Sequence, residues 1–119
     1  MKTTESELIE RIRARVSSHP SVIAGVGDDA ALLAPDPEQL LVASTDSLLP
    51  DRHFLEHWPP AVIGHLALAV NLSDLAAMGA APRWGLLALT LPDAEEDWLD
   101  GFLDGFLKLA DGEGLVLVG

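Results

Sequence analysis

A chain of 119 residues with 49% hydrophobic content is long enough to bury one core and too apolar to be disordered. Nineteen acidic residues against seven basic ones leave a net charge of −12, which argues against nucleic acid or an anionic membrane as partner, since both recruit basic patches. The absence of cysteine excludes disulfides, thiolate metal sites and a catalytic thiol, and the charged stretch Lys2–Glu7 lacks the apolar run of a signal peptide, so a cytoplasmic protein is expected.

Thr4 and Glu7 stand at capping-box spacing ahead of Leu8, Ile9, Ile12 and Val16, which predicts a helix over 5–17 closed by Ser18-His19-Pro20. Gly25-Val26-Gly27-Asp28-Asp29 reads as a tight turn leading into a short strand at 30–34. Asp28 and Asp29 enter that strand and are expected to project to opposite sides. After the Pro35–Glu38 turn, the apolar and partly β-branched run 40–45 suits a buried strand that ends at Ser44-Thr45-Asp46. Residues 47–59 read as irregular, around a turn at Pro50-Asp51. Pro60 suits the first position of a helix and Gly79 its left-handed cap, with Pro82 closing the exit.

The stretch 61–78 approaches the length of a membrane span, but Gly64, His65, Asn71, Ser73 and Asp74 within it favour a buried helix of a soluble protein. Residues 84–91 read as a second buried strand. Residues 94–110 form an amphipathic pattern, with Trp98, Leu99, Phe102, Leu103, Phe106 and Leu107 as its core stripe. Leu115–Val118 begins a last strand. The order α-β-β-α-β-α-β, with a crossover helix between strands, indicates an α/β or α+β sheet packed against helices, in one domain over 1–119. The chain stops at Gly119 without the polar tail of a finished domain, and is expected to be an excised half.

Asp74 is the most informative residue. At helical spacing its neighbours are Ala67, Val70, Asn71, Ala77 and Met78, and no Lys or Arg lies within a turn of it. A carboxylate on such a surface, if buried, is costly unless a charge or a metal compensates it. Asp28, Asp29 and Asp46 occur in turn or strand-end contexts, where turn chemistry explains each one singly as well as function does. Taken with the hydroxyls of Ser44 and Thr45, three segments deliver hard oxygens of the kind that hold Mg²⁺ on a nucleotide phosphate. His53, in a loop beside Arg52, is open to two readings: a phosphate contact or an idle surface residue. The acidic run 95–100 reads as a solvated helix face. No Walker A sequence, GxGxxG or Ser/His/Asp arrangement is present, so a phosphotransferase of this make-up works by metals and positioning.

Three segments carry a family resemblance: Gly25–Leu33, Ser44–Leu49 with Arg52-His53-Phe54, and Leu68–Pro82. In order and spacing they resemble the thiamine-monophosphate kinases, and Leu89-Thr90-Leu91-Pro92 and Trp98 continue the match over essentially the whole chain. Asp74–Ala80 alone indicates only the wider aminoimidazole-ribonucleotide synthetase-like superfamily; Asn71–Asp74 and Arg52-His53-Phe54 narrow it. The resemblance implies ATP-dependent phosphorylation of thiamine phosphate to thiamine diphosphate, with Mg²⁺ bridging aspartates and the phosphates of ATP. By position it makes Asp29, Ser44, Thr45, Asp46 and Asp74 metal ligands, His53 a contact of thiamine phosphate, and Gly119 part of the nucleotide site.

It further implies the N-terminal domain of the superfamily fold, a mixed sheet packed against helices whose strands pair across a homodimer. Two departures stand out. Asp51 occupies a position shortly before His53-Phe54 where the family usually has glycine, and the family continues with Gly-Asp-Thr where this chain ends. On that basis the chain is expected to be the N-terminal half of such a kinase, with the C-terminal domain absent and no activity alone. The alternative is a non-catalytic module of the same superfamily, serving dimerisation or Mg²⁺ and nucleotide binding.

Overall fold

The computed structural model describes residues 3–93 and 95–119. Its elements are α1 (Glu5–Arg13), β1 (Val22–Ala24), β2 (Leu32–Leu33), α2 (Pro60–Ala77), β3 (Trp84–Gly85), α3 (Glu96–Glu113) and β4 (Val116–Leu117). The order of types is the expected one, but the two early strands are not the expected pair. β1 lies ahead of the glycine turn, and the run 40–45 forms no strand. β1 and β2 pair antiparallel, with Val22 opposite Leu33. β3 and β4 pair in parallel across α3, with Trp84 opposite Val116 and Gly85 opposite Leu117. The fold is mixed α/β, with its sheet in two two-stranded pieces.

The two long helices end in the same way. At the end of α2 the Ala80 N–H bonds the Leu75 carbonyl and the Gly79 N–H bonds that of Ala76, with Gly79 at φ 68°. At the end of α3 the Leu115 N–H bonds the Ala110 carbonyl and the Gly114 N–H that of Asp111, with Gly114 at φ 70°. A left-handed glycine thus satisfies the last carbonyls and turns the chain out into an extended segment. One such segment leads to β3 and the other to β4. Ala94, the expected start of α3, lies outside the described residues.

The core is the α3 stripe Leu99, Phe102, Leu103, Phe106, Leu107 and Ala110, joined by Ile63 and Leu68 of α2 and by Leu115–Val118. Trp98, Phe102 and Phe106 stack in series, with centroid separations of 5.3 and 6.0 Å. α2 reaches this stripe through glycine. A Cβ built on Gly64 would overlap the Phe102 carbonyl, and one built on Gly105 would overlap that of Ala61. The backbones therefore touch where α2 and α3 cross. By length and composition alone α2 is apolar enough to cross a membrane. Instead its Ile63, Gly64 and Leu68 are buried in the protein, while Val62 and the end of the helix are exposed. The expectation of a buried helix holds for one face only.

α1 is capped as expected, with Thr4 Oγ1 accepting from the Glu7 N–H at 3.2 Å. It ends at Arg13, four residues short of the expected limit. Beyond it Arg15 turns to α3, where Nη2 meets Asp104 at 2.6 Å and Nη1 donates to the Asp100 carbonyl. Arg11 grips Asp100 with two bonds, Nε to Oδ1 at 3.2 Å and Nη2 to Oδ2 at 2.7 Å, and pairs with Glu96 at 3.3 Å. That hydrogen bond from Arg11 holds the Asp100 carboxyl below the usual carboxylate range.

Residues 34–49 are the main departure from expectation. The run read as a buried strand is extended but unpaired, with Leu40 96% and Leu41 67% exposed. Apolar periodicity reports that a segment suits burial; it does not say what does the burying. The radius of gyration is 14.5 Å, against about 13.5 Å for a compact domain of this length.

Two predictions test this architecture. Gly64→Ala and Gly105→Ala should each cost at least about 1–3 kcal/mol by overpacking, outweighing the gain of about 1 kcal/mol that alanine brings to a helix. Gly112→Ala, where a Cβ meets nothing within 4 Å, is the control expected to be neutral or stabilising in urea titrations. For the α1–α3 clasp, Asp100 titrates lower folded than unfolded, so its contribution is complete above about pH 4 and is lost as pH falls through the folded value. Asp100→Asn should therefore shrink the drop in Tm between about pH 6 and pH 3; an undiminished drop would refute the clasp.

Candidate functional site

The C-terminal turns of α2 and the end of the unpaired segment meet at one point. The Ser44 hydroxyl donates to Asp74 Oδ2 at 3.2 Å, and also lies 3.4 Å from Asn71 Oδ1. Asn71 and Asp74 share a helix face at i, i+3 spacing. The Asn71 amide is held in one orientation, because its Nδ2 donates to the Ala67 carbonyl one turn back at 3.1 Å. Its Oδ1 is thereby left facing Ser44. Three oxygens of different chemistry (hydroxyl, amide carbonyl and carboxylate) are gathered from positions 27 to 30 residues apart.

The reason first given for singling out Asp74 does not survive. Among the described residues no polar or charged side chain is fully buried, and Asp74 is exposed. The burial expectation assumed a neighbour over the second face of α2, which this chain does not supply. Nor is Asp74 without a partner, since Ser44 donates to it.

The other expected ligands are spread more widely. Asp28 and Asp29 lie in a bend ahead of β2 rather than inside it, both exposed, with Asp28 Oδ1 accepting the Asp29 N–H at 3.0 Å. They are therefore not set on opposite sides of a strand. Thr45 and Asp46 lie exposed on the unpaired segment next to Ser44. Among the described residues no three His, Cys, Asp or Glu side chains are gathered so that they could hold one metal ion. Asp29, Asp46 and Asp74 thus do not form a ready acidic cluster. Their charges are also not consumed elsewhere: the ion pairs among the described residues all involve Arg11, Arg13 or Arg15.

His53 sits in a tight loop. Its N–H and that of Arg52 bond the Leu49 carbonyl, and the Asp51 N–H bonds the Phe54 carbonyl at 2.6 Å. The Leu49 N–H donates to His53 Nδ1 at 2.9 Å. In that arrangement Nδ1 is an acceptor, so the neutral ring carries its proton on Nε2, which remains available to donate. A shallow cavity of about 190 Å³ lies beside it, lined by Asp51, Arg52, His53, Phe54, Leu55 and Trp58. Asp51 adopts φ 61°, the left-handed region where a glycine is at ease and an L-residue is strained. Gly119 continues the parallel pairing beyond β4, its carbonyl accepting the Leu87 N–H at 2.8 Å.

The residue that sequence reasoning passed over is Asn71. It was visible as a face-mate of Asp74, but only the backbone bond to Ala67 shows which way its amide points.

Comparison with known proteins places this geometry in a family. Residues 27–119 match the family described as AIR synthase related protein, N-terminal domain. The whole chain is 49% identical to a thiamine-monophosphate kinase of Escherichia coli strain K12, covering 37% of that protein. It is 38% identical over 117 residues to the thiamine-monophosphate kinase of Bacillus subtilis strain 168, covering 97% of this chain and 36% of that one. A crystal structure of thiamine-monophosphate kinase from Stenotrophomonas maltophilia K279a superposes with a TM-score of 0.84 at 49% identity, over 99% of this chain and 37% of the other. The chain thus spans 37% of the length of the first of these relatives. With the model match covering most of its residues, the chain belongs to the AIR synthase related family, in the N-terminal domain of that family, and its relatives there are thiamine-monophosphate kinases.

Proposed function

We propose that this chain is the nucleotide- and metal-binding N-terminal domain of an enzyme that phosphorylates thiamine phosphate to thiamine diphosphate with ATP, in the cytoplasm. The observation that carries the reading is the meeting of Ser44 with Asp74, residues 30 positions apart, in a chain 49% identical to kinases of that name. The donor chemistry fits magnesium: the gathered groups are all hard oxygens, and among the described residues no arginine or lysine forms an ion pair with Asp74. Asp29, Ser44, Thr45, Asp46 and Asp74 are the residues that would hold it. When bound, Mg²⁺ supplies neutralisation of the charge on the triphosphate.

In the reaction a terminal oxygen of thiamine phosphate bonds to the γ-phosphorus of ATP, and the bond from that phosphorus to the β–γ bridging oxygen breaks, releasing ADP. The chain's own part is positioning. His53, with Nδ1 occupied by Leu49, would present its Nε2–H to a substrate phosphate oxygen, and Arg52 adds positive charge beside it. Gly119, held against Leu87, would bring backbone close to the nucleotide. Because the acidic groups of this chain do not form a complete cluster among the described residues, the remaining two-thirds found in the relatives would complete the site. We infer that the 119 residues alone do not turn over.

The exposed run Leu40–Val42 also supports pairing with a second copy. An extended, apolar and unpaired segment offers a row of free backbone groups, and association would satisfy these while removing the side chains from water. A purely binding or dimerising module is the second reading, favoured only by the incompleteness of the acidic cluster.

The decisive assay supplies thiamine phosphate, ATP and Mg²⁺ and follows thiamine diphosphate. No product is expected from the chain alone, and product once the C-terminal two-thirds of a relative are supplied. In the complemented protein Asp74→Asn should lose at least the roughly 100-fold that removing a metal ligand's partner costs; full activity in that variant would remove Asp74 from the site. For assembly, sedimentation at micromolar concentration should show a dimer that Val42→Lys converts to monomer. A parent that is monomeric throughout would refute the pairing.

A further inference from the structure

At the junction of α2 with the unpaired segment, three oxygens converge with only one hydrogen among them. Ser44 Oγ carries that hydrogen, while Asp74 Oδ2 and Asn71 Oδ1 are acceptors only. The hydroxyl can satisfy one of the two at a time. Both separations, 3.2 and 3.4 Å, exceed the usual O–H···O length of about 2.7–2.8 Å. As a hydrogen-bond cluster the arrangement is therefore poor, with more accepting lone pairs than hydrogens to fill them.

As a cation face it is good. Ligands at right angles around an octahedral Mg²⁺, each about 2.1 Å from it, stand about 3 Å apart. The two spacings from Ser44 Oγ, 3.2 and 3.4 Å, are close to that, and an amide carbonyl is a hard oxygen of the kind such cations accept. Asn71 is also prearranged for the task. The Nδ2 bond to Ala67 fixes the amide so that oxygen, not nitrogen, faces Ser44, and that bond lies on the helix, independent of any cation. In this orientation the Asn71 oxygen faces the Ser44 hydroxyl and keeps a lone pair open to a cation.

We propose that the side-chain carbonyl oxygen of Asn71 is a third oxygen of the cation site, forming with Ser44 Oγ and the Asp74 carboxylate one face around a single divalent ion. This rests on the reading of Ser44 and Asp74 as cation ligands. The consequence is a site of mixed charge: one anionic oxygen and two neutral ones, which leaves the ion net positive charge with which to attract a nucleotide's phosphates. An aspartate at position 71 would hold the ion more tightly and leave less of that charge.

The test uses the full chain with Mn²⁺ as the only added ligand, its free concentration read by electron paramagnetic resonance, with circular dichroism recording the fold. Asn71→Leu, similar in size but without oxygen, should raise the Mn²⁺ Kd by about 10-fold or more. Asn71→Asp should lower it. Asp74→Asn should weaken binding in the same assay. Parental affinity in Asn71→Leu together with weakened binding in Asp74→Asn would overturn the assignment of Asn71 alone. Parental affinity in both would overturn the cation site itself. If Asn71→Leu does not fold, Asn71→Asp decides: tighter Mn²⁺ binding supports the proposal, and unchanged or weaker binding overturns it.

Discussion

Where Gly64 and Gly105 let α2 and α3 touch backbone to backbone, they set the position of nearly everything else in the molecule. An ordinary helix pair stands 8–10 Å apart on side chains, as a central tendency. Here a Cβ at either glycine would fall on a carbonyl oxygen of the facing helix, so the approach is closer than side chains allow. That contact lies in the first two turns of α2, and the helix then runs on to carry Asn71 and Asp74 about one and two turns beyond its last buried residue, Leu68. The oxygen-bearing turns thus project from a rigid crossing while remaining in water. A helix buried throughout would have placed Asp74 where its charge is costly.

The other half of the site has the opposite mechanics. Residues 34–49 have no strand partner among the described residues, and their apolar side chains lie largely in solvent. The side-chain bonds that tie this segment to α2 are those of Ser44 to Asn71 and Asp74. Thr45 and Asp46 depend on the same tether for their position. The candidate site thus has one wall set by helix packing and one held by a tether.

The sequence was informative wherever structure is local. The Thr4 cap, the left-handed Gly79 and the aromatic stripe on α3 all follow from backbone chemistry within a few residues, and all are as expected. It was poor wherever a partner decides the outcome. The run 40–45 has strand composition but nothing to pair with, and β1, only three residues long, carries too short a pattern to read. Gly64 and Gly105 look like weak points in helices and are instead where α2 and α3 approach backbone to backbone. Asp51 shows the reverse case: the family resemblance led to an expectation of glycine there, and the backbone at Asp51 is of the kind that glycine adopts most easily. The position requires φ 61°, which costs an L-residue about 1 kcal/mol and a glycine nothing. For the site, single aspartates could not be told from turn residues until Ser44 was seen to reach across thirty positions to Asp74.

The distribution of charge completes the physical account. Arg11, Arg13 and Arg15 all form ion pairs, two of them clasping α1 to Glu96, Asp100 and Asp104 of α3. The carboxylates on that side are thereby spoken for, and their role is docking. Asp28, Asp29, Asp46 and Asp74 are exposed and, among the described residues, form no ion pair with arginine or lysine. In a chain of net charge −12, Asp46 and Asp74 leave unneutralised negative charge at the end of α2 and on the segment beside it. Such a potential repels a bare triphosphate and attracts a divalent cation. The end of α2 and the segment beside it therefore favour a cation over a bare anion, while Arg52 places positive charge beside the cavity at His53.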